Sequence, residues 1–66
     1  MRYEDFLVLV DKACVENPKS RYGQVWFITL QTYRPELAYQ LMGTELDPFY
    51  RDCVPGQTET IVRNKW

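Results

Sequence analysis

Between Arg21 and Tyr50 the chain concentrates seven of its ten aromatic residues, Tyr22, Trp26, Phe27, Tyr33, Tyr39, Phe49 and Tyr50, together with its clearest helix punctuation. Large rings at short intervals must be buried or paired, and the Pro and Gly marks leave only short elements to do it with. Within this stretch Tyr22, Trp26, Leu30 and Tyr33 share one face at helical spacing, with Gly23 and Phe27 beside them. Val25 to Thr29 favour strands by composition, but the apolar positions do not alternate through Leu30 and Gln31, so a helix is expected, with Ser20 as its N-cap. Gly23 costs such a helix about 1 kcal/mol against alanine; close approach by a neighbouring helix, or a special turn, would explain it. Arg34-Pro35-Glu36 then opens a further helix, Pro35 to Met42, because proline is tolerated at the first helical position and Glu36 faces the positive end of the dipole. Gly43 stops it, with Leu37, Ala38, Leu41 and Met42 as its buried face and Glu36, Tyr39 and Gln40 outward. Asp47 caps a short helical turn begun by Pro48 and carried on by Phe49 and Tyr50.

Outside this stretch, Tyr3, Phe6, Leu7, Leu9, Val10, Ala13 and Cys14 form one broad arc of a first helix, opposite Glu4, Asp5, Lys12 and Glu16. Asn17-Pro18 ends it. Val8 and Val15 sit together on another side and read as a widened core face, the alternative being a partner-binding ridge. Val54-Pro55-Gly56 reads as a type II turn. Gln57 to Trp66 is ambiguous: a helix capped by Thr58 with Ile61, Val62 and Trp66 on one face, or an irregular tail, is preferred over a strand without a partner. The expected fold is all-α, a single domain over residues 1–66 with three main helices, a short helical turn and a C-terminal helix or tail.

Sixty-six residues allow one small core, since a chain of this size buries only about 60% of its unfolded surface. Hydrophobic residues make up 45% of the chain and aromatics 15%, which favours folding over disorder. Eight basic and nine acidic residues are spread without runs, which leaves no electrostatic footprint for nucleic acid or an anionic membrane. No apolar stretch approaches the roughly 20 residues of a membrane span. The start of the chain, with Glu4 and Asp5 before a short apolar run, does not read as a signal peptide, so Cys14 and Cys53 are expected reduced and the protein cytoplasmic. The chain has no histidine, which argues against a zinc site and removes the commonest acid–base group. Glu45, Asp47 and Asp52 are the carboxylates a hydrolytic site would need, but capping and solvation account for them. Neither cysteine has a base beside it, and three separated glycines cannot cradle a phosphate.

The segments RYGQ (Arg21 to Gln24), YRPELAYQL (Tyr33 to Leu41) and GTELDPFY (Gly43 to Tyr50) resemble short uncharacterised proteins encoded in bacteriophage and prophage genomes. The resemblance covers nearly half the chain and implies helix through Val25 to Leu30. It supplies no catalytic residues. It also implies an acidic, aromatic helix at the end, from which Gln57 to Trp66 depart.

What remains is a non-enzymatic protein without cofactor or metal that works by binding a protein, either a bacterial host factor or its own copy. Ile28, Arg34, Tyr39, Tyr50, Arg51 and Trp66 are the candidate partner-binding residues, because Trp, Tyr and Arg dominate interface energetics and Ile28 lies opposite the main arc of its helix. The alternative is a small nucleic-acid-binding regulator using the tandem helices, with Arg21, Arg34 and Arg51 clustered in space.

Overall fold

A computed structural model describes all 66 residues, folded as four helices with no strand: α1 (Tyr3–Glu16), α2 (Tyr22–Tyr33), α3 (Pro35–Leu41) and α4 (Gly56–Lys65). The all-α expectation holds, and the ambiguous ending resolves as helix. None of the helices is long and apolar enough to cross a membrane.

Short-range chemistry sets most of the boundaries. At the start of α1 the Asp5 carboxylate accepts the Arg2 backbone N–H at 3.0 Å, and at its end Asn17 donates from both backbone and side chain to the Ala13 carbonyl before Pro18 forbids continuation. Arg34 serves two helices. Its amide donates to the Leu30 carbonyl at 2.7 Å, and its own carbonyl accepts from Leu37 and Ala38. The non-helical conformation that Pro35 imposes on it (φ −140°, ψ 69°) turns the chain between α2 and α3. Gly43 has φ +75°, a left-handed conformation that suits glycine, and leads the chain out of α3.

The core holds Phe6 and Val10 from α1, Val25, Trp26, Phe27 and Leu30 from α2, Leu37, Ala38 and Leu41 from α3, and Val62 from α4. Helix α2 contributes most because it packs against both α1 and α3. Trp26, with no exposed surface, meets Phe6 edge-on at 5.5 Å between ring centroids. Helix α4 is tied on by Thr58, fully buried, whose hydroxyl donates to the Leu46 carbonyl at 2.7 Å. Thr58→Val keeps the volume and leaves that carbonyl without its partner, so it should cost about 1–2 kcal/mol in chemical denaturation.

Four local expectations are corrected. Ser20 does not cap α2; Arg21 holds that position, and no side chain bonds there. Gly56 is the first residue of α4 rather than the corner of a type II turn, with Pro55 preceding it at φ −57°, ψ 141°. Thr58 therefore lies inside α4 and faces the core instead of capping it. Val8 and Val15, 64% and 80% exposed, do not widen the core face of α1.

Tyr3 packs beside Phe6 with its hydroxyl buried and unpaired. Burial raises its pKa from 10.0 to about 12, Glu59 and Tyr22 add to the rise, and Arg63 opposes it. The Trp26 indole N–H pulls weakly in the same direction as Arg63 without reaching hydrogen-bond geometry. Burial, then Asp11, Glu59 and Cys14, push Tyr22 upward as well. The fold thus prefers both phenols protonated: the stability that the Tyr3 phenol confers is complete below pH 10 and is lost as pH climbs toward 12, and Tyr22 acts in the same direction. The thermal midpoint should fall across that window, and Tyr3→Phe should flatten the fall while leaving stability near pH 7 unchanged or slightly raised.

Candidate functional site

An open groove of about 350 Å³ lies where α2, the end of α3 and the following loop meet, lined by Phe27 and Gln31, Met42 and Gly43, and Asp47, Phe49 and Tyr50. Phe27, Phe49 and Tyr50 supply its aromatic part. The Phe49 ring stands edge-on to Phe27 at 6.1 Å and to Tyr50 at 4.9 Å, so the three rings form a stepped surface in which Phe27 is buried and Tyr50 is 80% exposed. Met42, half exposed, forms another edge and offers a flexible, polarisable thioether.

Two devices fix the loop that carries these rings. Asp47 is a double clamp: one carboxylate oxygen accepts the Gly43 N–H and the other the Phe49 N–H, both at 2.9 Å. Beyond it, the turn closed by the Arg51 amide on the Pro48 carbonyl (2.9 Å) docks on the first turn of α2, where the Arg51 carbonyl accepts the Gly23 N–H at 3.1 Å. That N–H is one of the donors a helix start leaves unpaired, and a carbonyl from 28 residues later satisfies it in place of a capping side chain. The approach needs glycine, because a Cβ at position 23 would collide with the Pro48 and Arg51 carbonyl oxygens. Gly23 does serve close packing, but against a loop and not a helix.

A second groove, of about 240 Å³, runs between α1 and α2, lined by Leu9, Lys12, Ala13 and Glu16 on one side and Ile28, Thr29, Thr32 and Tyr33 on the other. The hydroxyls of Thr29 and Thr32 are occupied by the carbonyls of Val25 and Ile28 in their own helix.

The candidate residues do not share one face. Tyr50 lies in the aromatic groove. Arg51 follows it, exposed, with its guanidinium donating to the Glu45 carbonyl at 3.3 Å. Ile28 belongs to the second groove, and Tyr39, 79% exposed on α3, belongs to neither. Trp66 and Arg34 are engaged within the chain. The indole packs on Phe6 at 4.9 Å and Tyr3 at 5.8 Å, its N–H donates to the Met1 carbonyl at 2.9 Å, and the Arg34 guanidinium sits 4.4 Å over its ring. The arginine cluster does not form as a trio: Arg21 precedes α2 and the Arg51 carbonyl bonds the Gly23 amide in its first turn, whereas Arg34 is at its far end, about 18 Å away along a 12-residue helix. Arg21 pairs with Asp52 at 3.7 Å.

No known protein family, curated protein or solved structure matches this chain. Asp47 is the one carboxylate on its lining, and both its oxygens are occupied by backbone amides. What the groove presents freely is apolar surface and the Gln31 amide, which makes no hydrogen bond within the chain and is exposed.

Helical periodicity puts Met42 on the buried face of α3 and does not join Phe27 to Phe49, yet Met42 is half exposed and lines the groove with both rings. Met42 is the C-cap of α3 at φ −56°, ψ 127°, outside the helical region, so helical periodicity does not govern where its side chain goes. Its position next to the stop glycine was the available signal.

Proposed function

We propose that this chain is a non-enzymatic, phage-type accessory protein that binds a bacterial host protein through the aromatic groove between Met42 and Tyr50. The observation carrying this reading is the pairing of exposed apolar rims, Met42 and Tyr50, with an aromatic floor held by the Asp47 clamp and the Gly23 contact. A surface already fixed before binding loses little ordering entropy on association. Rings flanked by a flexible thioether accept an apolar anchor from a partner, and Gln31 beside them can bond that partner's backbone. The resemblance of Arg21 to Gln24, Tyr33 to Leu41 and Gly43 to Tyr50 to phage and prophage proteins supports the choice of a host factor.

Affinity capture from a bacterial lysate tests the reading when the wild type is compared with the Met42→Lys/Tyr50→Ala pair. Both side chains are exposed, so the variant should fold. A partner retained by wild type should bind it at least about tenfold more weakly, the loss of a single anchor of about 2 kcal/mol being sufficient. Equal retention of every captured protein would overturn the assignment of the groove.

A further inference from the structure

We infer that the aromatic groove takes an arginine side chain from its protein partner, with the stem against the rings and the guanidinium beside Asp47. This rests on the reading of the groove as the binding site and names the chemistry of the anchor. Of the residues that line the groove Asp47 alone is charged, and it forms no ion pair, those of the chain being Arg2 with Glu4 and Arg21 with Asp52. The segment from Gly43 to Tyr50 adds Glu45, exposed and also without an ion pair, and contains no basic residue. Arg51, next along the chain, is held on the Glu45 backbone carbonyl and lies outside the lining. The groove therefore sets a half-buried negative charge among aromatic rings and leaves the counter-charge to the partner.

The remaining valences of the site fit a guanidinium. Each Asp47 oxygen accepts one backbone N–H, whereas a carboxylate has about four lone-pair sites, so acceptor capacity and the full charge remain. Tyr50 is 80% exposed, which leaves at least one face of its ring open to a cation at the rim. Arginine suits both better than lysine, because its guanidinium stacks on rings, donates from several N–H groups and is more weakly hydrated than an ammonium. Its three-carbon stem supplies the apolar contact to the rings and to Met42. An acidic anchor would be repelled by Asp47, and a purely apolar one would bury that charge unpaired.

NMR titration of the isotope-labelled full chain with a blocked Gly-Gly-Arg-Gly-Gly peptide, to about 10 mM, tests this. The amides of Gln31, Gly43, Phe49 and Tyr50 should shift. The same peptide with citrulline, which keeps the shape of arginine without its charge, should bind at least about tenfold more weakly, and a lysine peptide should fall between the two. Met42, half exposed and outside the Asp47 clamp, allows the charge of the groove to be changed without touching the loop. Met42→Glu should tighten the arginine peptide about threefold and Met42→Lys should weaken it about threefold. Groove amides unmoved by the arginine peptide, citrulline or lysine bound as tightly as arginine, or Met42 variants that change affinity in the same direction would each overturn the inference. Host-protein capture that still depends on Met42 and Tyr50 would then keep the groove as the binding site and remove only its arginine anchor. Capture indifferent to those two residues would remove the groove and the anchor together.

Discussion

Gly23→Ala should destabilise the fold by about 2–3 kcal/mol, opposite in sign to the usual effect of this substitution. In an ordinary helix interior, alanine gains about 1 kcal/mol over glycine. Here the new methyl would lie 2.5 Å from the Arg51 carbonyl oxygen and closer still to that of Pro48. Both obstacles are backbone, so no side chain can swing aside. Either the start of α2 or the Pro48–Arg51 turn must retreat, which breaks the 3.1 Å bond from the Gly23 amide and leaves that donor unpaired. A chain of 66 residues has about 3–10 kcal/mol in total. Urea unfolding of the variant should therefore show a large drop in midpoint. Gly56→Ala is the control, because a Cβ there meets nothing and its φ is not positive, and its midpoint should stay close to wild type. The retreating turn carries Phe49 and Tyr50 with it, so Gly23→Ala should also disturb their resonances and lower partner binding. A midpoint raised by about 1 kcal/mol would mean that the loop does not dock on α2.

Trp66→Ala should cost about 2–3 kcal/mol, although Trp66 is the last residue of the sequence and partly exposed. Its ring closes the aromatic cluster of Tyr3 and Phe6 and lies under Arg34, and its N–H joins it to the Met1 carbonyl. One side chain thus ties α4 to the start of α1 and to the α2–α3 junction. The loss falls below that of a fully buried Trp because part of the ring already meets water. Trp66→Phe should recover most of the stability by keeping the ring contacts. In a double-mutant cycle with Arg34→Ala, the cation–π contact should appear as a coupling of about 0.5–1 kcal/mol. A Trp66→Ala variant as stable as wild type would return this residue to the exposed, partner-facing role its composition suggests.

Local chemistry made α1 and α3 readable from sequence: Asn17-Pro18 and Arg34-Pro35 act over one or two residues, and the arc from Tyr3 to Cys14 is set by helical spacing. The start of α2 was unreadable for the opposite reason. Its cap is a carbonyl 28 residues away, and Ser20 offered a plausible local substitute that the fold does not use. The last helix was ambiguous because Thr58, Thr60, Ile61 and Val62 favour strands as isolated residues, while burial of Thr58 and Val62 against the rest of the molecule decides the matter. Site residues were legible one at a time but not as a set. Tyr50 and Tyr39 are exposed as expected, yet only the path of the loop places Tyr50 beside Phe27 and Met42 and leaves Tyr39 alone. Trp66 shows the limit of reasoning from residue type, since the features that suit Trp and Arg to an interface serve equally well inside one chain.

The groove between Met42 and Tyr50 is tested most directly by titrating isotope-labelled protein with its captured partner and following every backbone amide by NMR. The largest shifts should fall on Gln31, Met42, Gly43, Phe49 and Tyr50, with the exposed face of α1 around Asp11 and the exposed face around Tyr39 little changed. Shifts confined to those other surfaces, with the groove amides unmoved at saturation, would contradict this assignment.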